Sequence, residues 1–519
     1  MISRRRFLTA GGPWALASLA ARGAFGAEDP ALRLGQPRPF SFRWLRESAR
    51  AQARKSYAAA APAVPELLGR IDYDAVQKIA FRPDHALWHR GPGRFPVRFF
   101  HLHKLNMESV RIHVVSDGVA REIGYSPAYF DYGGLDVGQK LPPELGFSGF
   151  RIMDGRQKNT DWLAFQGASY FRSSGEDDQY GISARGIAIN TALSTREEFP
   201  RFTEFWLSDY GPDSPSVAIY ARLDGPSVTG AYKFVATKGH GAIVDVAATI
   251  YARKDVTRLG IAPLTSMYWY GENNRTYATD WRPEIHDSDG LAMWTGRNEH
   301  IWRPLINPRT VRTNSYLDMN PKGFGLMQRD RDFASYQDDG AFYNRRPGVW
   351  VEPQGDWGEG AVQLVEIPTR DEVHDNIVAF WQPKRKIGAG GAIRIFYRLY
   401  WRNDEPHPPA NLGRVVATRI GQGGIPGQID PKNNSKRKFV IDFQGGPLTA
   451  MAARYDVNPM ITASRGKIDN AYVIRIVGTN RWRALFDLAI AGKEPIDLRC
   501  FLRLGDRTLT ETWLYQYLP

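Results

Sequence analysis

The sequence predicts an all-β protein, and three observations favour this fold class. Apolar and polar residues alternate with a period of two in several segments, most clearly at residues 110–114, 244–250 and 393–401. This alternation is typical of antiparallel strands that bury one face and leave the other polar. The chain also contains 50 glycines and 34 prolines, and 12% of its residues are aromatic. These features together indicate many short strands joined by turns.

Helices are expected only near the beginning of the chain. Residues 42–60 are rich in Ala, Arg and Gln and are followed by Pro62 and Pro65. We expect one helix here, which ends before these prolines because proline disrupts a helix interior. A second, short helix is expected to start at Asp74.

The first 26 residues have the features of a twin-arginine signal peptide. Residues 4–6 are three arginines followed by Phe7 and Leu8, a weakly apolar stretch runs to residue 21, and residues 24–26 form a small-x-small cleavage pattern. We therefore predict export to the periplasm by the twin-arginine pathway. No other apolar run approaches the ~20 residues that a membrane-spanning helix needs, so no stable membrane insertion is expected.

The formal charge of the chain is +13, and four of its arginines lie in residues 1–26, so the exported chain carries +9. Such a surface attracts nucleic acid, anionic lipid or acidic substrates. No zinc-finger, helix-turn-helix or RNA-binding signature accompanies the charge, so a nucleic-acid partner is not expected. The single cysteine, Cys500, lies in an apolar run and is predicted to be a buried strand residue.

The length and one proline-rich segment predict two domains. A chain of 519 residues exceeds the ~250–300 residues at which single cores stop growing. We predict a main domain at residues 27–402, a linker at 403–412, and an immunoglobulin-like β-sandwich domain at 413–519. The short strands of this last segment, and the turn at Gly478-Thr479-Asn480, fit that sandwich.

Candidate chemistry is concentrated at residues 268–303, where tryptophans and tyrosines alternate with acids and arginines. This mixture suits sugar recognition, because aromatic rings stack on sugar faces and polar groups satisfy the hydroxyls. Two more polar clusters lie at residues 336–346 and 369–376. Hydrolysis of a glycosidic bond commonly needs two carboxyl groups. The candidates are Asp287, Asp289, Asp338, Asp339, Glu372 and Asp375. Spacing does not pair them, and a turn at 286–290 or a loop of surface charges at 371–375 would also explain several.

Metal and cofactor sites are not expected. Residues 286–289 lack the pattern of a calcium-binding loop. No Gly-x-Ser-x-Gly motif surrounds Ser288, and no glycine-rich phosphate loop opens a helix after a strand.

Several longer strings carry a family resemblance. They are Leu87-Trp88-His89 and residues 167–172, 180–186, 260–267, 286–290, 320–325, 350–353, 375–378 and 511–517. Through them, and over essentially the whole exported chain, the sequence resembles the periplasmic glucan biosynthesis proteins of Gram-negative bacteria, most closely the D type. The resemblance implies a large galactose-mutarotase-like β-sandwich followed by the smaller immunoglobulin-like one.

The resemblance also implies a function. It points to control of the glucose backbone of osmoregulated periplasmic glucans, by inverting endo-hydrolysis of β-1,2-glucan. The implied partners are this glucan and the membrane glucan synthase. One alternative is a non-catalytic glucan-binding protein that organises the nascent polymer, and a mutarotase-like epimerase is suggested by fold analogy alone.

By the same resemblance, Asp375 matches the general acid, and Asp287 matches the base, which acts through a short relay of waters. Glu372 and Tyr343 match cleft residues near the acid. A protonated acid near neutral pH needs burial or a like-charged neighbour, and Glu372 is the neighbour we expect to supply that charge. Further candidates for sugar contacts are Tyr170, Arg172, Trp294, Trp302, Arg346 and Trp357.

Overall fold

The computed structural model describes residues 32–89, 95–155, 159–211, 213–424, 427, 436–490 and 492–519. The predicted signal peptide at residues 1–26 lies outside these residues. The described chain is 48% strand and 9% helix, so the all-β prediction is confirmed. None of its helices is both long and apolar enough to cross a membrane.

The elements are numbered in chain order. The helices are α1 (Phe42–Ala53), α2 (Pro65–Gly69), α3 (Tyr73–Lys78) and α4 (Phe333–Tyr336). The first strands are β1 (Arg33–Leu34), β2 (Arg38–Pro39), β3 (Ala80–Phe81), β4 (Val97–Phe100), β5 (Arg111–Ser116), β6 (Val119–Gly124), β7 (Phe130–Asp131), β8 (Gly149–Met153), β9 (Asp161–Gln166), β10 (Tyr170–Ser173), β11 (Ser183–Arg185), β12 (Ala188–Ile189), β13 (Arg201–Asp209), β14 (Ser216–Asp224), β15 (Val228–Gly239), β16 (Gly241–Ala252) and β17 (Leu259–Ser266). The remaining strands are β18 (Tyr268–Tyr270), β19 (Ile285–His286), β20 (Gly290–Trp294), β21 (His300–Pro304), β22 (Arg312–Met319), β23 (Gly323–Met327), β24 (Gly348–Pro353), β25 (Glu359–Glu366), β26 (Ile377–Pro383), β27 (Ala392–Arg402), β28 (Arg414–Gln422), β29 (Lys436–Gln444), β30 (Val457–Ala463), β31 (Lys467–Arg475), β32 (Trp482–Ala489), β33 (Ile496–Leu504), β34 (Arg507–Thr508) and β35 (Thr512–Tyr517).

The predicted first helix is present but shorter than expected. The Ser41 hydroxyl caps α1 by accepting a backbone N–H of the first turn at 3.1 Å. At the other end, Arg253 donates to the carbonyls of Gln52 and Lys55, at 3.2 and 3.0 Å. These long-range bonds satisfy carbonyls that a helix end leaves unpaired, so α1 ends well before residue 60.

The other two N-terminal helices follow proline and aspartate signals. Pro65 is the first residue of α2, where its missing N–H costs nothing, so this proline begins a helix that the sequence did not predict. The short helix expected from Asp74 is confirmed as α3, which Asp72 caps by accepting the Ala75 N–H at 2.9 Å.

Two large sheets pack face to face. Sheet A has the strand order β22-β25-β26-β17-β11-β10-β9-β8-β4. Sheet B runs through β5, β13–β16, β27, β24, β23, β20 and β21. Phe165 and Phe171 of sheet A meet Phe234 of sheet B, with ring centroids 5.2 and 5.1 Å apart. The alternating segments 244–250 and 393–401 are confirmed as paired strands β16 and β27.

The C-terminal segment adds a smaller four-stranded sheet, β28-β29-β32-β31. The predicted turn at Gly478-Thr479-Asn480 is confirmed, because β31 and β32 on either side of it pair antiparallel. Cys500 is fully buried on β33, as predicted. Strand β35 pairs in parallel with β21, so the C-terminal strands extend sheet B. Apolar side chains from before and after residues 403–412 therefore pack in one core. The division into two domains stays a prediction.

A buried arginine joins the C-terminal segment to the rest of the molecule. Arg329 forms ion pairs of 2.5 Å with Glu405, in the predicted linker, and with Glu511, beside β35. It also donates to the Val415 carbonyl at 3.0 Å and lies over the Trp302 ring at 3.8 Å. Residues 403–412 contain no strand, as expected, yet this contact fixes them.

Replacing Arg329 by methionine should cost about 3–5 kcal/mol of unfolding free energy, because the change leaves two buried carboxylates without their cation. Urea denaturation of both variants would measure this loss. The control is Arg398→Met, which removes a half-exposed pair with Asp245 and should cost less than about 1 kcal/mol. Equal losses of unfolding free energy in the two variants would show that Arg329 does not stabilise the contact between the C-terminal segment and the rest of the molecule.

Candidate functional site

One face of sheet A forms the floor of a groove. Ala164 and Arg172 pair across β9 and β10, and Ser183 and Thr265 pair across β11 and β17. The residues that alternate with them, such as Phe171, belong to the core. Two cavities of about 240 and 390 Å³ lie along this region. Both are lined by Gln166 and Tyr170, so they are parts of one groove. We refer to these two cavities together as the groove.

Two acidic segments converge beside this floor. The Asp287 N–H donates to the Met267 carbonyl at 2.8 Å. The Asn376 N–H donates to the neighbouring Ser266 carbonyl at 3.1 Å. The Asn376 side chain also exchanges two hydrogen bonds with the Tyr268 backbone, at 2.7 and 2.9 Å. Asp287 and Asp375 are therefore held next to one three-residue stretch of backbone, despite their distance in sequence.

The environment of Asp375 favours its protonated form. The surrounding protein, and then the negative charge of Asp287, raise the pKa of Asp375 to about 6. Arg172 and a hydrogen bond with Thr265 act in the opposite direction. Asp375 is exposed as a residue, while protein groups crowd its carboxyl, so the carboxyl stays accessible to solvent.

Glu372 was expected to be the like-charged neighbour, and this expectation is wrong. Both oxygens of Glu372 accept hydrogen bonds from Arg282, each at 3.0 Å. Its charge is thereby compensated, and Asp287 is the acid that raises the pKa of Asp375. The Tyr343 hydroxyl also donates to Glu372, at 2.5 Å. Glu372 and Tyr343 thus contact each other, and their role as cleft residues near the acid stays a prediction.

Sequence reasoning missed Arg282 as an organising residue. Besides Glu372 it binds Asp280 at 2.8 Å and Asp338, so it ties three separate loops together. The one signal in the sequence was an excess of acids in the polar clusters, which indicates that a cation lies among them. Their pairing joins residues far apart in sequence and could not be deduced from spacing.

Asp287 is buried and paired with a second arginine. Arg346 forms an ion pair with it and donates to the Ala341 carbonyl at 3.2 and 3.1 Å. The guanidinium of Arg346 also lies 4.1 Å from the centroid of the Tyr343 ring. Its donors are thus directed at protein groups, which favours a role in holding Asp287 over the predicted direct contact with sugar.

The other acids have structural partners or lie in solvent. Asp289 is enclosed and accepts the backbone N–H groups of Arg329 and Asp330, at 3.1 and 2.9 Å. Asp338 accepts two backbone N–H groups of its own turn, and Asp339 is exposed. In the described part of the chain, no three His, Cys, Asp or Glu side chains form a group that could hold a metal ion. Of the six candidates, Asp287 and Asp375 are the two that influence each other. Neither lines the two cavities, and Asp375 adjoins them through Tyr170 and Arg172.

A family model described as periplasmic glucan biosynthesis protein, MdoG, matches residues 40–517. The chain belongs to this family. It is 50% identical to glucans biosynthesis protein D 2 of Ralstonia nicotianae, over all of this chain and 98% of that protein. It is 49% identical to glucans biosynthesis protein D of Stenotrophomonas maltophilia, over 94% and 91% of the two chains. The corresponding protein of Xanthomonas campestris pv. campestris is 48% identical, over 98% and 94%.

The predicted sugar contacts of this family member divide into two groups, those that line the groove and those that do not. Tyr170 and Arg172 line the groove. Trp294 stacks on His300, Trp302 is buried beneath Arg329, and Trp357 packs on Trp381. None of these three predicted tryptophans lines either cavity of the described groove. Sequence reasoning missed Gln166 and the exposed Phe199, which line the larger cavity.

Replacing Asp287 by asparagine should lower the pKa of Asp375 below about 6, because the repulsion between the two carboxylates disappears. Carboxyl ¹³C chemical shifts followed through a pH titration would measure the change. Glu372→Gln is the matched control and should leave the pKa of Asp375 unchanged, since Arg282 compensates the charge of Glu372. A fall of the same size in both variants would contradict this assignment.

Proposed function

We propose that this protein is an inverting endo-β-1,2-glucanase, which controls the glucose backbone of periplasmic glucans during their synthesis. The observation that carries the proposal is the pair of acids beside one groove, with the pKa of Asp375 raised to about 6 and Asp287 held in an ion pair by Arg346. Membership in a periplasmic glucan biosynthesis family supplies the substrate class.

In the proposed reaction, Asp375 donates its proton to the glycosidic oxygen as the bond to the anomeric carbon breaks. A water attacks the opposite face of the sugar, and its proton passes through a short relay of waters to Asp287. The product anomer is inverted because the water attacks directly. A raised pKa keeps Asp375 protonated at mildly acidic pH. The ion pair with Arg346 fixes the position of Asp287.

The shape of the groove supports a polymeric substrate. The two cavities of about 240 and 390 Å³ continue one another along sheet A, past Tyr170. Tyr170 and the exposed Phe199 offer aromatic surfaces for sugar rings along this path. A groove with room for several sugars suits action within a chain, whereas an epimerase needs room for one sugar.

The proposal places the protein in the periplasm, where the predicted twin-arginine signal at residues 1–26 would deliver it already folded. Release of short oligosaccharides there would set the length of the polymer as it leaves the membrane glucan synthase, the second proposed partner.

A non-catalytic glucan-binding role is the alternative, and one observation favours it. Arg346 already forms an ion pair with Asp287, so this carboxylate is engaged by a protein group rather than free to bind a water. Under this alternative, glucan would bind in the groove without turnover.

Purified protein incubated with linear β-1,2-glucan should release short oligosaccharides, which chromatography would detect. Asp375→Asn should lower kcat by about 10²–10⁴-fold, because the variant cannot donate the proton, while glucan binding is retained. Asp339→Asn is the control, since Asp339 is exposed and lies in a polar cluster outside the acid pair. Binding without turnover in both wild type and Asp375→Asn would establish the alternative role.

The pH dependence of hydrolysis should report the pKa of Asp375. Activity should fall as the pH rises through about 6, because the acid then loses its proton. Arg172 lowers this pKa, so Arg172→Gln should move the alkaline limb of kcat/KM to higher pH, whatever its effect on the maximal rate. Arg345→Gln, an exposed arginine that binds the Asp177 carbonyl, should leave the limb in place. If the alkaline limb of the kcat/KM profile does not move in Arg172→Gln, Asp375 is not the general acid.

A further inference from the structure

The positive charge of the protein is concentrated in its C-terminal segment. Residues 413–519 contain 16 Lys and Arg against nine Asp and Glu, a net charge of +7. The whole chain from residue 27 onward carries +9. Most of the charge excess therefore belongs to about a fifth of the chain, and the segment that contains the groove is nearly neutral.

Three loops lie together at one end of this segment. Trp482, the first residue of β32, pairs with Phe443 near the end of β29 and with Arg475 at the end of β31. Val457, the first residue of β30, pairs with Leu504 at the end of β33. Strands β30 and β31 are joined by a short turn at residues 464–466, so the start of β30 and the end of β31 lie at the same end. The loops 445–456, 476–481 and 505–506 thus form one surface, called the basic tip below.

The basic tip presents apolar side chains to solvent. Tyr455 and Val477 are 99% and 96% exposed, the two highest values among the large apolar side chains of the described residues. Ala452 and Ala453, which precede Tyr455 by a few positions, are also exposed. Tyr455 and Val477 therefore extend into solvent from two different loops of the basic tip.

Arginines surround these apolar side chains. Arg454, Arg481 and Arg507 are exposed, and Arg475 and Arg503 are half-buried at the adjoining strand ends. The exposed acids in these loops are Asp456, which pairs with Arg454, and Asp506. The buried Asp442 near the end of β29 pairs with Arg483 and Arg419. The basic tip therefore combines a net positive charge with a tyrosine and a valine that point into solvent.

We propose that the basic tip docks on the surface of a bilayer that contains anionic lipid. Arginines are attracted to such a surface, and tyrosine favours the boundary between headgroups and acyl chains. Isolated exposed apolar side chains can enter a soft interface, whereas an acidic protein partner would require a shaped complementary surface. Unsubstituted glucan carries no charge that would attract the arginines. Docking of this kind is weak and reversible, and it keeps the groove beside the membrane.

Cosedimentation of the exported chain with vesicles tests the proposal. Vesicles of phosphatidylglycerol and phosphatidylcholine should bind the protein at least tenfold more strongly than phosphatidylcholine alone, and high salt should abolish the difference because exposed charges are screened. Arg481→Glu with Arg507→Glu should reduce binding at least tenfold, and Tyr455→Ser with Val477→Ser should also weaken it.

The matched control is Arg465→Glu with Lys467→Glu, which changes two exposed cations at the opposite end of β30 and β31 and should bind as wild type. Thermal unfolding verifies that all variants are folded. Loss of binding in the control alone, equal binding to both kinds of vesicle, or full binding by the tip variants would each overturn the proposal. Cleavage of soluble β-1,2-glucan should be unaffected by the tip variants, so failure here and failure of the proposed hydrolysis are separate results.

Discussion

The geometry of the candidate site depends on one short stretch of backbone, residues 266–268, between β17 and β18. Its carbonyls accept the N–H groups of Asp287 and Asn376, and the Asn376 side chain pairs with the Tyr268 backbone. Buried backbone groups that lose such partners are costly, so these bonds fix where both acidic segments lie. Because Asp375 precedes Asn376 directly, its position follows from the same bonds.

The different environments of the acids follow from two arginines. Arg282 compensates Glu372 and Asp338, and Arg346 compensates Asp287. Asp375 has no ion pair among the described contacts, although Arg172 influences it from a distance. It is therefore the acid whose pKa is raised by desolvation from the surrounding protein groups and by the charge of Asp287. Neighbouring carboxyls with different proton affinities are what acid and base roles at one site require.

Much of the fold, but less of the site, could be predicted from the sequence. Period-two alternation identified β16 and β27, and the apolar run around Cys500 identified β33. Strand β30 was missed because it contains Asn458 and Pro459, which are uncommon within strands. Asp287 and Asp375 came from family resemblance, since spacing could not pair them. The burial of Trp302 depends on Arg329 and on strands that follow more than 100 residues later, so no local pattern could reveal it.

The contact that Arg329 makes between the C-terminal segment and the sheets also influences where the acids of the candidate site lie. Asp289 accepts the backbone N–H of Arg329, whose side chain holds Glu405 and Glu511. Only one residue separates Asp289 from Asp287, and the Asp289 carbonyl accepts the Leu305 N–H at 2.9 Å. The carboxylate that sequence reasoning counted as a catalytic candidate thus acts as an anchor for its neighbour. The C-terminal strands therefore contribute to the placement of Asp287 through this anchor, although they supply no residue to the cavities of the groove.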